Sequence, residues 1–288
     1  MIDLPQLPPP QVVEALDYEA IYAAKLSRFQ ALYPQYTAVL ESDMVVKLLE
    51  LSAYDELMGR ARINDAATAS MLAYARGDDL DHRAADFGVS RLLVQRGDPD
   101  AEPPTDDVWE DDERLRYRTQ MAPEGLAVAG PRGAYRYHAL SASAEVEDVE
   151  IETPEPGRVR VWLLARDGVA GPALLGAVEA ALNAENVRPL CDTVEVAAAQ
   201  PRPYAIVASI VYQPGGEAVS GGLAGARKRL AEVQAKRRKI GGSMPRSAIS
   251  AALHVAGVDR VNIVSPAEDV MCQVGQYPDC ASVEVTPP

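Results

Sequence analysis

Apolar residues recur at helical spacing near the N-terminus and at strand spacing in the second half, and this change of period divides the chain before any motif is considered. Leu16, Ala20, Ala23, Ala24 and Leu26 predict a helix from about Asp17 to Leu32, ended by Pro34. No proline interrupts Asp43 to Arg76, where Met44, Val45, Leu48, Leu49, Leu51, Leu57, Met58, Ala61, Met71, Leu72 and Ala75 are apolar. Ser42 offers this stretch an N-cap and Gly77 a left-handed C-cap. Unbroken, such a helix spans roughly 50 Å at about 1.5 Å per residue, longer than one small domain needs. Alanines at 53, 61, 66, 67, 69 and 73 bring helix axes close together, but few large side chains cover the stripe. The helix therefore needs neighbours, some of them from other chains; a helix pair closed on itself and broken near Gly59 is the alternative.

Flanking segments follow from punctuation. Pro5 and Pro8-Pro9-Pro10 keep residues 1 to 10 out of a helix or sheet interior, which predicts an extended arm, laid on a partner or frayed. Asp78 and Asp79 start a short helix that stops at Gly88, and a strand follows Val89. From Asp98 to Glu113 there are nine acidic residues and no basic ones, with Pro99, Pro103 and Pro104 among them. That composition predicts an exposed linker leading into a helix at about 106 to 121; its order does not fit an EF-hand calcium loop.

The second half contains an internal repeat. Val146 to Pro154 and Val258 to Pro266 share the pattern V-[DE]-x-V-x-I-x-x-P, and each follows a helical segment, Tyr135 to Ala142 and Ser247 to Val255. Each copy reads as an alternating strand stopped by proline. Pro156-Gly157 turns the first copy into Val159, Val161 and Leu163, a hairpin. A helix at 172 to 183, strands at 193 to 197 and 205 to 212, and a helix at 220 to 239 complete the order. The expected fold class is α+β, a long-helix N-terminal domain followed by two small tandem α/β modules dividing near Arg188 to Asp192: residues 1–95, 96–190 and 191–288.

Composition narrows the chemistry. The chain has 288 residues, 48% hydrophobic, which is enough for more than one core. No apolar run reaches the roughly 18 residues of a membrane span, and Met1 to Pro5 lacks the flanks of a secretory signal, so no membrane partner is expected. A net charge of -14 argues against nucleic acid as partner. Cys191, Cys272 and Cys280 read as free thiols, with a Cys272–Cys280 bridge as the lesser alternative. His82, His138 and His254 are scattered; the last two precede the repeated strands at comparable positions, which suggests packing. Gly221 to Gly225 lacks the GK[ST] of a phosphate loop. The basic runs at 227 to 229 and 236 to 239 lack interleaved aromatics, leaving solvated cations or a salt-bridged acidic neighbour, such as residues 98 to 113 of another copy. No catalytic residue, cofactor or metal is expected.

A family resemblance runs through several blocks in order. Arg62-Ile63-Asn64-Asp65-Ala66-Ala67, then Leu72 to Asp81 (LAYARGDDLD) and Phe87-Gly88-Val89, resemble the signature stretch of the baseplate J-like proteins of contractile tails. Glu113 to Arg118, Ala129-Gly130-Pro131, Ala134 to Ala139 and Val187-Arg188-Pro189-Leu190 are similar as well. The resemblance covers residues 10 to 270. It implies a non-enzymatic wedge protein of a phage or tailocin baseplate, two copies in each of six wedges, assembled in the bacterial host cytoplasm and resident in the tail particle. Implied partners are a second copy of the chain, a baseplate I-like wedge protein, a sheath-initiator or lysozyme-like baseplate protein and the central hub or spike. Leu48, Leu49, Arg62, Asn64, Tyr74 and Asp81 are the expected partner contacts, with helix capping and internal packing an equal alternative for Arg62, Asn64, Tyr74 and Asp81. A tail-associated polysaccharide-degrading enzyme with paired carboxylates among Asp106 to Glu113 is the alternative, and a secretion-system baseplate subunit shares the structural class.

Overall fold

The computed structural model describes every residue except 1, 3, 9, 11–13, 38, 39, 128 and 288. The fold is α+β. The chain divides into two compact units, Met1–Arg91 with Asp111–Thr119, and Leu92–Glu110 with Gln120–Pro288.

The first unit is helical. Helix α1 (Tyr18–Leu32) is capped by Asp17, whose carboxylate accepts the Ala20 amide. Helix α2 (Met44–Ala69) is capped by Asp43 rather than Ser42 and runs unbroken through Gly59. It ends at Ala69, short of the expected Arg76, so it is about 39 Å long at ~1.5 Å per residue. Neither glycine nor proline ends it. The Thr68 hydroxyl donates back to the Asn64 and Asp65 carbonyls and Ser70 to Ala67, and a tight turn over 70 to 74 follows. Gly77, at φ +51°, opens helix α3 (Gly77–Ala85) instead of closing α2. Of the N-terminal arm, Leu4–Gln6 forms a 3-10 turn rather than extended chain, and residues 1, 3 and 9 lie outside the described residues.

The acidic stretch is more structured than a linker. Strands β1 (Leu93–Gln95) and β2 (Val108–Trp109) pair antiparallel, and the intervening loop is tied by Asp107 accepting the Gly97 amide and Thr105 accepting the Asp98 amide. Helix α4 (Asp112–Met121) then spans the division between the units.

The second unit holds two three-stranded sheets. Helix α5 (Arg132–Ala142) leads to β3 (Val146–Glu155), β4 (Arg158–Ala165), helix α6 (Pro172–Leu182) and β5 (Thr193–Ala198), giving the order β3-β4-β5. Strand β6 (Gln200–Tyr212) begins the other sheet. Helices α7 (Gly216–Ser220) and α8 (Gly222–Arg237), strand β7 (Ser243–Met244), helix α9 (Arg246–Leu253), and strands β8 (Val258–Ser265), β9 (Val270–Met271) and β10 (Gln276–Thr286) follow; the sheet has the order β10-β6-β8, and β7 and β9 form a separate antiparallel pair. Strand β5, which a boundary at 191 assigns to the last segment, pairs with β4.

The two sheets are arranged alike around their central strands. β4 is antiparallel to β3 and parallel to β5; β6 is antiparallel to β8 and parallel to β10. The repeated motif supplies the antiparallel edge each time, before its central strand in one sheet and after it in the other. Its spacing, three residues from the first valine to the second and two to the isoleucine, is not simple alternation. Each copy carries a bulge at its acidic residue: Val146 and Asp148 face consecutive Ala165 and Leu164, and Val258 and Arg260 face consecutive Tyr212 and Val211. The bulge resets the parity, so Val146, Val149 and Ile151 all point into one core. β3 continues through Pro154, as an edge strand permits.

Each sheet has its own core, built on Val161, Leu163, Val178 and Leu182 in one and on Ile206, Ile210, Leu230 and Leu253 in the other. A third cluster of Leu164, Ala199, Ile240 and Tyr277, with Trp162 against it, links the two. There the Asp148 carboxylate accepts the Ile240 amide at 2.9 Å, Arg238 lies 5.0 Å over the Tyr277 ring, and Trp162 packs on Gly275 so closely that a Cβ would meet it at 2.8 Å. The histidines differ in setting: His138 is half-buried within α5 against the Gly125 carbonyl, whereas His254 is exposed at the end of α9. The three cysteines are free thiols.

Candidate assembly surface

Helix α2 carries two opposed apolar faces. Val46 and Ala53 are buried, and Asn64 shares their side of the helix. Met44, Leu48, Leu51 and Met58 fall within an arc of about 80° on the opposite side, at ~100° per residue. These four are 77%, 59%, 58% and 45% exposed. Their spacing of four, three and seven residues is the a/d seam of a coiled coil, with Asp55 and Arg62 taking the remaining a positions. Burying such side chains contributes about 1 kcal/mol or more each, so the seam is a substantial unused source of association energy.

The packed side is held largely by polar contacts. Lys25 on α1 pairs with Glu56 at 2.7 Å and reaches the Ser52 hydroxyl; Arg60 pairs with Glu56 and, at 2.9 Å, with Glu14 of the arm. Hydrogen bonds from Lys25 and Arg60 hold the Glu56 carboxyl below its ordinary range. Asn64 grips the arm by its backbone: its side-chain oxygen accepts the Glu14 amide at 2.9 Å and its side-chain amide donates to the Glu14 carbonyl at 2.8 Å. Tyr74 donates to the Leu7 carbonyl at 2.7 Å.

Within the first unit, charged groups organise the turn, α3 and the start of α4. Arg91 bridges Asp81 and Asp112 at 2.7 and 2.8 Å. Partial burial pushes the Asp112 carboxyl upward, but the Gly77 amide and Arg91 outweigh it and the net shift is downward. Arg116, nearly buried, donates to the Leu72 and Ala75 carbonyls and pairs with Glu113.

The expected contact residues therefore separate. Leu48 and Arg62 are exposed and Leu49 is half-buried, so this part of α2 is available to a partner. Asn64 and Tyr74 hold the chain's own arm, and Asp81 holds Arg91. Sequence reasoning overlooked Glu14, Arg60, Arg91 and Arg116, each of which has at least one partner distant in sequence; the heptad spacing of Met44, Leu48, Leu51 and Met58 was readable. Of the carboxylates between 106 and 113, all but the exposed Asp106 take structural tasks: Asp107 accepts the Gly97 amide, Glu110 is buried and accepts the Leu92 amide, Asp111 accepts the Arg114 amide, and Asp112 and Glu113 pair with arginines. Among the described residues no group of three or more His, Cys, Asp or Glu side chains could hold a metal ion, and no helix is long and apolar enough to cross a membrane.

Two family models match these elements. The baseplate J-like N-terminal domain covers residues 41–98, which is α2, α3 and β1, and the baseplate J-like central domain covers 127–198, ending with β5. Baseplate protein J of Escherichia phage P2 is 42% identical over 99% of this chain and 97% of its own length. The chain belongs to the baseplate J-like family. For a baseplate J-like chain the matched boundaries are informative: the central-domain match takes in the whole β3-β4-β5 sheet, β5 included. The N-terminal match begins just before the helix that carries the exposed seam.

Proposed function

We infer that the chain is a structural component of a contractile-tail baseplate, that it has no catalytic task, and that the seam of α2 is completed by helices of other subunits. Family membership carries the first part, and the exposed heptad of Met44, Leu48, Leu51 and Met58 supports the last. In this reading the segment 1–95 serves assembly, with Leu48, Leu49 and Arg62 at the contact, while the segments 96–190 and 191–288 build the body of a ring around the hub. A baseplate I-like wedge protein and a second copy of the chain are the partners that cover the seam; the sheath initiator and hub meet the ring elsewhere. Assembly takes place in the bacterial host cytoplasm and the product resides in the tail particle.

Co-expression with the cognate baseplate I-like protein, followed by native mass measurement, tests this. A complex of fixed stoichiometry is expected, and Leu48→Asp with Leu51→Asp should abolish it while leaving the unfolding transition of the isolated chain in place. A chain that stays monomeric beside that partner, or a double variant that assembles normally, overturns the reading.

A further inference from the structure

The outer face of α8 and the loop of the β1–β2 hairpin carry opposite, unused charge. Helix α8 packs its inner side, Ala226 and Leu230, into the core and against α9. Along its outer side Ala224, Ala231 and Ala235 are exposed at spacings of seven and four, flanked by exposed Arg227, Lys228 and Lys236, with Glu232 the one acid of the helix. The basic run is not uniform: Arg229 and Arg237 turn back to the Ala252, Ser220 and Ser243 carbonyls, and Arg238 to Ala165. Arg227, Lys228 and Lys236 have no ion-pair partner among the described residues.

The hairpin presents the complement. Its loop exposes Asp100, Glu102 and Asp106, likewise without an ion pair among the described residues, and Arg96 is its one cation. Asp107 and Thr105 tie the loop to the Gly97 and Asp98 amides, so the carboxylates are presented on ordered backbone and little freedom is lost on binding. Beside them on β2, Val108 is 49% and Trp109 50% exposed. An exposed tryptophan next to a cluster of one charge sign is a characteristic anchor of a protein contact, and a smooth alanine floor with a cationic rim can receive both ring and carboxylates.

We propose that the β1–β2 hairpin of one copy docks on the outer face of α8 of a second copy. Both surfaces belong to the same compact unit, so every copy carries both halves of the contact. Because the halves differ, the contact either is exchanged twice between two copies or runs head to tail until a ring closes. The proposal rests on the reading of the chain as a multi-copy assembly protein.

Sedimentation of the purified full chain across concentration and salt, with charge reversals, tests it. The wild type should self-associate, at least tenfold more weakly when added salt shortens the Debye length from about 10 to about 3 Å. Asp100→Lys with Glu102→Lys and Asp106→Lys should weaken association at least tenfold, as should Arg227→Glu with Lys228→Glu and Lys236→Glu; all six changes in one chain should restore it. A mixture of the two triple variants should associate as well, both through the unmodified hairpin on the unmodified α8 and through the two reversed surfaces, although neither variant does so alone. Circular dichroism keeps misfolding apart from lost contact. Self-association that ignores both reversals, or that the sixfold variant fails to recover, overturns this contact and leaves the assembly reading standing. A wild type that stays monomeric at all concentrations overturns the contact, and one that also ignores the baseplate I-like protein overturns the assembly reading with it.

Discussion

Helix α2 in the first unit and strand β6 in the second are both long central elements, yet their surroundings differ. β6 buries Tyr204, Ile206, Ala208 and Ile210 in alternation, with β10 on one side, β8 on the other and helices over the face. α2, with 26 residues, buries only Val46, Ala53 and Asn64, and leaves Met44, Leu48, Leu51, Tyr54, Met58 and Ile63 exposed. The second unit completes its cores from its own chain. The first spends its charged groups on holding the arm, the turn and α4 in place, and keeps an apolar seam open. A chain that must fold before it meets its partners can keep the two tasks apart in this way, with stability in the sheets and association energy in the helix.

The largest effect should come from the sheets. Leu163, fully buried in the first core, is expected to cost about 3 kcal/mol as Leu163→Ala, from lost transfer energy plus a cavity. Leu51→Ala on the open seam should change the stability of the isolated chain by less than about 0.5 kcal/mol. Chemical denaturation of both variants checks the pair, and equal costs at the two positions would erase the contrast.

Next is the charged base of the first unit. Arg116 satisfies two carbonyls from a nearly buried position, so Arg116→Ala should cost about 2 to 3 kcal/mol and open the turn at 70 to 76 to proteolysis. Digestion confined to the first unit, with the sheets intact, is the expected pattern. If the whole chain unfolded together, the two units would be one cooperative block.

How far these features were legible in the sequence depends on where their causes lie. The bounds of α1, the hairpin of β3 and β4, and the helix α6 follow from periodicity and turn residues within a short window. The repeat was visible, but its spacing encodes a bulge at Glu147 and at Asp259 that alternation alone does not reveal. β10 was missed: a register shift between Cys280 and Ser282 breaks its pattern, and its place is fixed by parallel pairing with β6, far away in the chain. β5 was misplaced for the same reason, since its partner β4 precedes an intervening helix. The end of α2 was overrun because hydroxyls of Thr68 and Ser70 close it without a breaker residue. At the assembly surface, the apolar excess of α2 was readable, whereas the roles of Asn64 and Tyr74 required knowing that the arm returns over them.

A smaller effect is expected where the two sheets join. Asp148 is pushed above the ordinary carboxylate range by burial, while the Ile240 and Val149 amides and the charges of Arg136 and Lys239 pull it back. A carboxyl whose folded pKa lies above its unfolded value binds its proton more tightly in the native state. Stability from this group is therefore fully present below the unfolded value near 3.8 and falls as pH rises through the folded value. Asp148→Asn keeps an acceptor for the Ile240 amide without the buried charge, so it should leave stability at neutral pH unchanged or slightly higher and flatten that pH dependence. Asp148→Ala removes the acceptor and should cost about 1 to 2 kcal/mol. Denaturation of both variants from pH 3 to 7 separates the cases, with pH 3 and 7 being roughly the limits of the titration window.

The smallest change bears on α2 itself. Gly59 lies mid-helix near the edge of the seam, and a Cβ built there meets nothing within 4 Å. Gly59→Ala should therefore stabilise the isolated chain by about 0.5 to 1 kcal/mol through helix propensity alone. If the seam is open only until a partner helix arrives, the added methyl should disturb that partner, and the complex should gain less than the isolated chain does. Measuring both free energies decides between a helix left bare by design of the assembly and one exposed in its final state, because a solvent-facing helix would show the same gain in both.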